Sequence, residues 1–179
     1  MNNKTQQEKM RNFKELATTE LKDNVFDLIG KQWMLVTAGK KDKFNTMTAS
    51  WGAMGILFNK PVAIIFIRPQ RYTFEFLEEE KEFTLTVLPE QYREALMICG
   101  RKSGRDCDKI KEAGLTAIET EKGNMAFEEG RLVMECKKIY GKIFDPKEFL
   151  DTDIITKNFP NNDLHKVYIA EIEKVWAKD

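Results

Sequence analysis

The amino-acid sequence predicts a mainly β protein, an antiparallel β-barrel with a few peripheral helices. Short apolar or alternating segments of strand length recur along the chain between turn-forming residues. Helical patterns are few and scattered, which argues against the regular strand-helix alternation of a doubly wound sheet. A length of 179 residues suits one domain, and 42% hydrophobic residues are enough for its core.

Composition excludes several classes of function. The 29 Lys and Arg residues balance 29 Asp and Glu residues, so no net charge favours a nucleic acid or an anionic membrane as partner. The sequence shows neither the apolar core of a secretion signal nor an apolar run of membrane-spanning length. The three cysteines, Cys99, Cys107 and Cys136, lack the spacing of a disulfide framework or a zinc site, so we expect a cytoplasmic protein without a bound metal.

Two regions are expected, a helical extension over residues 1–23 and the barrel domain over residues 24–179. A thin apolar stripe predicts a polar helix from about Thr5 to Ala17. After it, Trp33 to Thr37 has the pattern of a strand, and the charged turn that follows predicts a hairpin with the next segment.

The segment from Asn45 to Gly55, NTMTASWGAMG, is expected to form one extended strand with two faces. One face is predicted to pack and holds Met47, Ala49, Trp51 and Ala53. The other face is small and bears hydroxyls, and it holds Thr46, Thr48, Ser50 and Gly52. This second face suits a flat ligand with polar edges, but a half-exposed strand of an ordinary barrel explains it equally well.

After a turn predicted at residues 56–61, the apolar run from Val62 to Ile67 predicts a strand that is buried on both faces. A helix capped by Tyr72 or Thr73 is then expected to bury Phe74 and Leu77.

Further along, residues 82–87 alternate as a strand, and an amphipathic helix follows that is expected to stop at Gly100. Short strands at residues 115–119 and 125–127 precede a long strand over residues 132–144. Residues 145–162 contain turn signals and are expected to form an irregular excursion with one helical turn, after which His165 introduces the last strand.

Two cationic segments offer a place for an anion. Arg68 to Thr73 places two Arg residues and two hydroxyls where a strand gives way to a helix, whose first N–H groups attract phosphate. The loop GRKSGRDCDK, residues 100–109, combines two glycines with four basic residues. A solvated turn and a flexible surface loop explain the two segments as well, and neither has the spacing of a Walker or dinucleotide-binding motif.

Hydrolytic and metal-dependent chemistry find little support. His165 is the only histidine, it has no GxSxG context, and a single histidine cannot supply the common zinc and iron triads.

Taken together, NTMTASWGAMG, RPQRYT, CGRKSGRDCDK, EEGRLVMECKKIYG and HKVYIAEIEKV resemble, in order and spacing, the flavin reductase-like proteins and their flavoredoxin branch. The resemblance covers roughly residues 24–176. It implies a homodimeric, six-stranded antiparallel Greek-key split barrel that binds FMN, an NAD(P)H:flavin reductase type of activity, and a small-molecule or redox-protein acceptor.

The same resemblance implies roles for individual residues. Five residues would lie beside the isoalloxazine ring: Met47, Thr48, Ala49, Ser50 and Trp51. Three would receive the phosphate or the ribityl chain: Arg68, Tyr72 and Thr73. Six would close over the cofactor: Cys99, Gly100, Ser103, Gly104, Asp108 and Lys109. His165 is a candidate for a position near the flavin, and no other catalytic residue is expected, because the cofactor supplies the chemistry.

Three alternatives stay open at this stage. The protein could be a flavin-binding electron carrier without efficient NAD(P)H oxidation of its own. It could be a split barrel with a different cofactor, such as heme or a deazaflavin, or an interaction protein without a cofactor.

Overall fold

The structure, a computed structural model, describes residues 10–178. Its ten strands are β1 Lys14–Leu16, β2 Met34–Lys40, β3 Lys43–Ala49, β4 Gly52–Leu57, β5 Lys60–Ile67, β6 Glu82–Val87, β7 Ala117–Glu119, β8 Met125–Phe127, β9 Leu132–Ile143 and β10 Lys166–Ala177. Its α-helices are α1 Val25–Asp27, α2 Tyr72–Glu79, α3 Arg93–Arg101, α4 Lys109–Glu112 and α5 Asp153–Asn158. A π-helical turn, Leu28–Gln32, and 3₁₀ turns at Thr18–Glu20, Glu90–Tyr92 and Pro146–Glu148 complete the elements.

One antiparallel sheet dominates the molecule, with the strand order β3-β2-β6-β9-β10-β5-β4 and with β1 added beside β10. The long strands β9 and β10 form its centre and are bulged twice along their pairing. β7 and β8 make a separate two-stranded ribbon. The predicted class, mainly β with few helices, is therefore confirmed, although the sheet has eight strands instead of six.

The two end strands of this sheet are consecutive in the chain. β3 ends at Ala49 and β4 begins at Gly52, so only Ser50 and Trp51 connect opposite ends of the sheet. Three steps of about 3.8 Å cannot span more than about 11 Å, so the sheet must curl until its ends nearly meet. Because β3 and β4 do not pair with each other, the curled sheet remains split between them.

The barrel interior is filled by inward side chains of all the central strands, including Leu85, Met134 and Ala170. A second apolar cluster lies where α3 packs on the outside of β2, around Leu35, Leu96 and Phe127. Thr84 and Thr86 of β6 are also fully buried, because both faces of that strand are covered. The alternation of β6 thus predicts the strand correctly but not the environment of its polar side.

Several element predictions are confirmed. The hairpin of β2 and β3 and the strands β5 to β10 lie close to their expected positions. Residues 145–162, called the excursion below, are irregular and contain the short helix α5.

The predicted amino-terminal helix is wrong within the described residues. Lys14–Leu16 forms strand β1 on the edge of β10, and a 3₁₀ turn follows. Pairing with the exposed edge of the sheet outweighs a weak helical pattern, because β1 gains a partner for its backbone groups. The first part of the expected helix, residues 5–9, lies outside the described residues.

The stretch from Asn45 to Gly55 is two strands and not one. The chain leaves β3 at Ala49 and re-enters the sheet in β4, so the alternation of faces does not continue through it. Trp51, expected on the packed face, is 46% exposed, whereas Thr46, expected on the polar face, is fully buried with its hydroxyl bonded to that of Thr37 at 2.9 Å. The predicted turn is also shorter, since only Phe58 and Asn59 lie between β4 and β5.

The turn residues Phe58 and Asn59 have φ values of 54° and 58°. Positive φ at both central positions of a two-residue loop matches the right-handed twist of a β-hairpin.

Two helix details also differ from prediction. α2 buries Phe76 and Leu77, and Phe74 is only half-buried. α3 runs through Gly100 to Arg101 and does not stop at the glycine. Cationic side chains reach its last carbonyl oxygens, as described below, and so remove the need for a glycine cap.

Candidate functional site

Two adjoining cavities open at the split of the barrel. The smaller one, about 270 Å³, carries two Arg residues and is called the cationic cavity; its lining is Met47, Thr48, Ala49, Ser50, Trp51, Phe66, Arg68, Arg71 and His165. The larger one, about 740 Å³, has no charged side chain in its wall and is called the apolar cavity. Ser50, Trp51 and Phe66 line both cavities, so the two cavities are direct neighbours.

The barrel explains why these residues meet. Ser50 and Trp51 are the link between β3 and β4, and Phe66 lies on the outer face of β5, which pairs with β4. Immediately after β5, the turn RPQR is closed by a 3.0 Å hydrogen bond from the Arg71 N–H to the Arg68 carbonyl. The sequence-distant segments are therefore neighbours because the sheet curls.

Arg71 is a half-buried cation without an acidic partner among residues 10–178. One guanidinium nitrogen donates to the Gly100 carbonyl at 2.8 Å, near the carboxyl end of α3, where a helix favours positive charge. Burial lowers the pKa of Arg71, and the neighbouring charge of Arg68 lowers it further. A desolvated cation of this kind is stabilised by any anion that enters the cavity.

Arg68 is held differently. Its guanidinium forms an ion pair with Asp163 and donates to the Asn158 carbonyl at 3.0 Å. It also lies over the ring of Phe159, 5.7 Å from the ring centre. Arg68 thus fastens the excursion to the site and has less positive charge to offer to a ligand than Arg71 has.

His165 stands where the two cavities join. Its ring centre lies 5.1 Å from that of Trp51 and 5.4 Å from that of Phe159. Burial lowers the pKa of His165 to about 4, and the Arg68 charge acts in the same direction. The imidazole is therefore neutral at pH 7, and its buried Nδ1 has no hydrogen-bond partner in the structure.

Thr48 and Gly100 connect the cavity to α3. The Thr48 hydroxyl donates to the Leu96 carbonyl at 2.5 Å, which ties the end of β3 to the helix. A Cβ at Gly100 would lie 3.4 Å from the Thr48 side chain, so only a small residue lets the helix approach this closely.

The structure brings six of the fourteen predicted cofactor residues together in the cationic cavity: Met47, Thr48, Ala49, Ser50, Trp51 and Arg68. The candidate His165 joins them, and Gly100 lies directly behind Thr48. Residues far apart in sequence thus form one group at the split.

Other predicted residues lie elsewhere. Thr73 is fully buried, with its hydroxyl accepting from the Asn45 amide at 2.7 Å, and Cys99 is fully buried in the core, where burial raises its pKa to about 11. Ser103 accepts from the Arg105 N–H at 3.2 Å within the loop.

The remaining four line two depressions beside the 100–109 loop. Tyr72 lines the first, Lys109 lines the second, and Gly104 and Asp108 line both. Gly104 is needed there because a Cβ would fall 2.2 Å from the Asn45 side-chain oxygen. Lys109 is 3% exposed and donates to the Cys99 and Lys102 carbonyls at 3.3 and 3.2 Å, which satisfies the end of α3. Burial lowers its pKa to about 8.

Sequence reasoning missed Arg71 as an individual site residue, although it recognised the segment that contains it. It also missed Phe66 and the aromatic residues of the excursion. A signal existed, because Phe149 and Phe159 are aromatic residues in a turn-rich segment with many charged and polar residues.

Comparison with known proteins identifies the family of this chain. The family model described as Flavin reductase like domain matches residues 26–179. No curated protein matches the chain in sequence. Within residues 10–178 no helix has the length and apolarity needed to cross a membrane.

Solved structures share the fold at low sequence identity. An FMN-binding domain of a flavin reductase-like enzyme from Shewanella baltica OS155 is 18% identical with a TM-score of 0.68, over 93% of this chain and 78% of that one. Flavoredoxin from Methanosarcina acetivorans is 19% identical with a TM-score of 0.66, over 92% and 77%. NADH:FAD oxidoreductase SgcE6 from Streptomyces globisporus C-1027, in complex with NAD and FAD fragments, is 15% identical with a TM-score of 0.60, over 80% and 73%.

Proposed function

Because this chain belongs to the family of flavin reductase like domains, we propose that it is an FMN-dependent oxidoreductase. Electrons would pass from a reduced nicotinamide or another donor through bound FMN to an acceptor. Solved proteins of the same fold are described as FMN-binding, as flavoredoxin and as an NADH:FAD oxidoreductase, which supports a flavin-related redox role.

The proposal rests above all on the positive charge of Arg71. This residue faces the cationic cavity, is half-buried, and has no carboxylate partner within the described chain. The phosphate of FMN supplies the missing negative charge and accepts charge-assisted hydrogen bonds from a guanidinium. Arg68, three residues earlier, adds to the positive potential although it is paired with Asp163.

The residues present fit the rest of the cofactor. Ser50 and Trp51 connect β3 to β4. Together with Thr48 they offer a hydroxyl-bearing, aromatic surface to the flat ring of the flavin. The buried, unpartnered Nδ1 of His165 would gain a hydrogen bond from a polar edge of the ligand. When bound, FMN supplies hydride and electron transfer itself, so the protein has only to bind it, orient it and exclude water.

A flavin-binding electron carrier is the second candidate. The wall of the apolar cavity has no charged side chain. The pyrophosphate of a nicotinamide dinucleotide would therefore find no counter-charge there, which favours a donor other than NAD(P)H.

A homodimer is also proposed, and the hairpin of β4 and β5 supports it. Strand β4 is an end strand of the sheet, and Ile56 within it and Phe58 in the turn after it are 75% and 70% exposed. Burial of this apolar edge against a second copy would cover both the side chains and the strand edge. Light scattering is expected to give twice the chain mass, and replacement of Phe58 by Asp is expected to lower it.

The test is the visible spectrum of the purified protein, followed by anaerobic addition of NADH and NADPH. Bound or readily taken up FMN, identified after release, is expected, and rapid bleaching by a nicotinamide supports the reductase. Persistent flavin bands would favour the carrier, and a protein that takes up no FMN would overturn both.

A further inference from the structure

The apolar cavity is bounded by an unbroken chain of aromatic rings. Phe66 contacts Phe144 with ring centres 5.6 Å apart, and Phe144 contacts Phe149 at 5.6 Å. Phe149 contacts Phe159 at 6.2 Å. Phe159 contacts His165, and His165 contacts Trp51. The rings therefore form an arc from β5 back to the barrel split.

The excursion supplies the middle of this arc. Phe149 and Phe159 lie on either side of α5, and Ile154 and Asn158 of α5 line the cavity too. In contrast, Leu150, next to Phe149, is completely exposed. Phe149 and Phe159 therefore line the apolar cavity and do not belong to the main core cluster of the barrel.

The side chains that line the apolar cavity indicate which class of ligand it can bind. Its side chains are uncharged, and their only polar groups are the Ser50 hydroxyl, the Asn158 amide and the indole N–H of Trp51. A charged group placed here would lose its hydration without gaining a counter-ion. Flat rings, by contrast, gain offset or edge-on contacts with the aromatic residues, and a volume of about 740 Å³ is in the range of small-molecule sites.

We propose that the apolar cavity binds an uncharged, planar compound of one or two rings, and that Phe149 and Phe159 of the excursion determine this specificity. The inference rests on the proposed function in one respect, namely that this compound is the substrate of the FMN-dependent reaction. Its place beside Ser50, Trp51 and Phe66 puts it against the cationic cavity, where the FMN phosphate would be held.

Calorimetric titration with a matched pair of probes tests the proposal. The probes are 2-naphthol, uncharged at pH 7, and 2-naphthalenesulfonate, which has the same rings with a negative charge. Both are titrated into the protein with and without added FMN. We expect 2-naphthol to bind both with and without FMN, and 2-naphthalenesulfonate to bind at least about tenfold more weakly.

Variants assign the specificity to the excursion. Phe149→Ala is expected to weaken 2-naphthol binding about tenfold by loss of ring contacts, and the milder Phe149→Leu to weaken it less. Leu150→Ala, its exposed neighbour, is expected to leave 2-naphthol binding unchanged. FMN affinity is expected to be unchanged in all three, and circular dichroism verifies that they fold.

Four results would overturn the inference: no binding of 2-naphthol, equal binding of both probes, equal effects of the Phe149 and Leu150 variants, or competition between FMN and 2-naphthol. The last result would mean that the flavin itself fills the apolar cavity. Selective 2-naphthol binding by a protein that takes up no FMN would support the cavity assignment while rejecting the proposed function.

Discussion

The two cavities at the barrel split share Ser50, Trp51 and Phe66 but differ in nearly everything else. The cationic cavity is built from β3 and from the RPQR turn, which are fixed to helix α3 by the hydrogen bonds from Thr48 to Leu96 and from Arg71 to Gly100. The apolar cavity depends on an irregular excursion that ring contacts hold in place. The difference suggests that the barrel provides the anion site, whereas the excursion provides the selectivity for a second ligand.

The largest expected effect concerns the excursion. Phe159 is 4% exposed and contacts both Phe149 and His165, so Phe159→Ala is expected to lower the free energy of unfolding by about 3–5 kcal/mol. Leu150→Ala, in the same excursion but fully exposed, is the control and is expected to change it by less than about 0.5 kcal/mol. Urea denaturation measures both, and equal effects would mean that the excursion is not packed as described.

The next effect separates the two Arg residues of the cationic cavity. Arg71→Ala is expected to weaken FMN binding by about 1.5–3 kcal/mol, roughly tenfold to hundredfold, because a charged hydrogen bond to phosphate is lost. Arg68→Ala is expected to weaken it less, because the Arg68 guanidinium already donates to Asp163 and to the Asn158 carbonyl and has fewer N–H groups left for the phosphate. Arg11→Ala, exposed and outside both cavities, is the control. Quenching of FMN fluorescence gives the dissociation constants, and wild-type affinity in Arg71→Ala would remove the phosphate assignment.

His165, at the junction of the cavities, is expected to make the stability of the protein depend on pH. Burial lowers the pKa of His165 to about 4 in the folded protein, against 6.5 for an unperturbed histidine. Between these two pH values the unfolded chain therefore binds a proton at His165 that the folded protein does not bind. Stability is therefore lost as the pH falls from about 6.5 towards 4, by about 2 kcal/mol between pH 7 and pH 5 from this group. In His165→Gln, which carries no such proton, this part of the decline is expected to disappear from urea denaturation curves. Identical declines in both proteins would contradict a buried neutral histidine.

The smallest effect concerns the link between β3 and α3. Thr48→Val removes the hydrogen bond to the Leu96 carbonyl and is expected to cost about 0.5–1.5 kcal/mol of unfolding free energy. Thr116→Val, at an exposed position, is the matched control. Binding of 2-naphthol is expected to be unaffected, since Thr48 lines only the cationic cavity.

Much of the fold could be predicted because it depends on local patterns. The alternation of β6, the apolar run of β5 and the charged turn between β2 and β3 each indicated the correct element. The patterns failed where a distant partner decided the outcome. Lys14–Leu16 became a strand because the edge of β10 was available, and the helix α3 continued past Gly100 because Arg71 and Lys109 satisfy its last carbonyls.

The sequence by itself determined the mainly β class, the cationic character of RPQR and the family to which the chain is similar, since composition, spacing and residue type are properties of the chain. Only the tertiary structure decided that Asn45 to Gly55 is two strands, that Arg71 lacks an acidic partner among residues 10–178, and that Phe149 and Phe159 join an aromatic arc with Trp51. Each of these depends on how the sheet curls. Curling brings together residues about 100 positions apart, and no local pattern encodes which of them will meet.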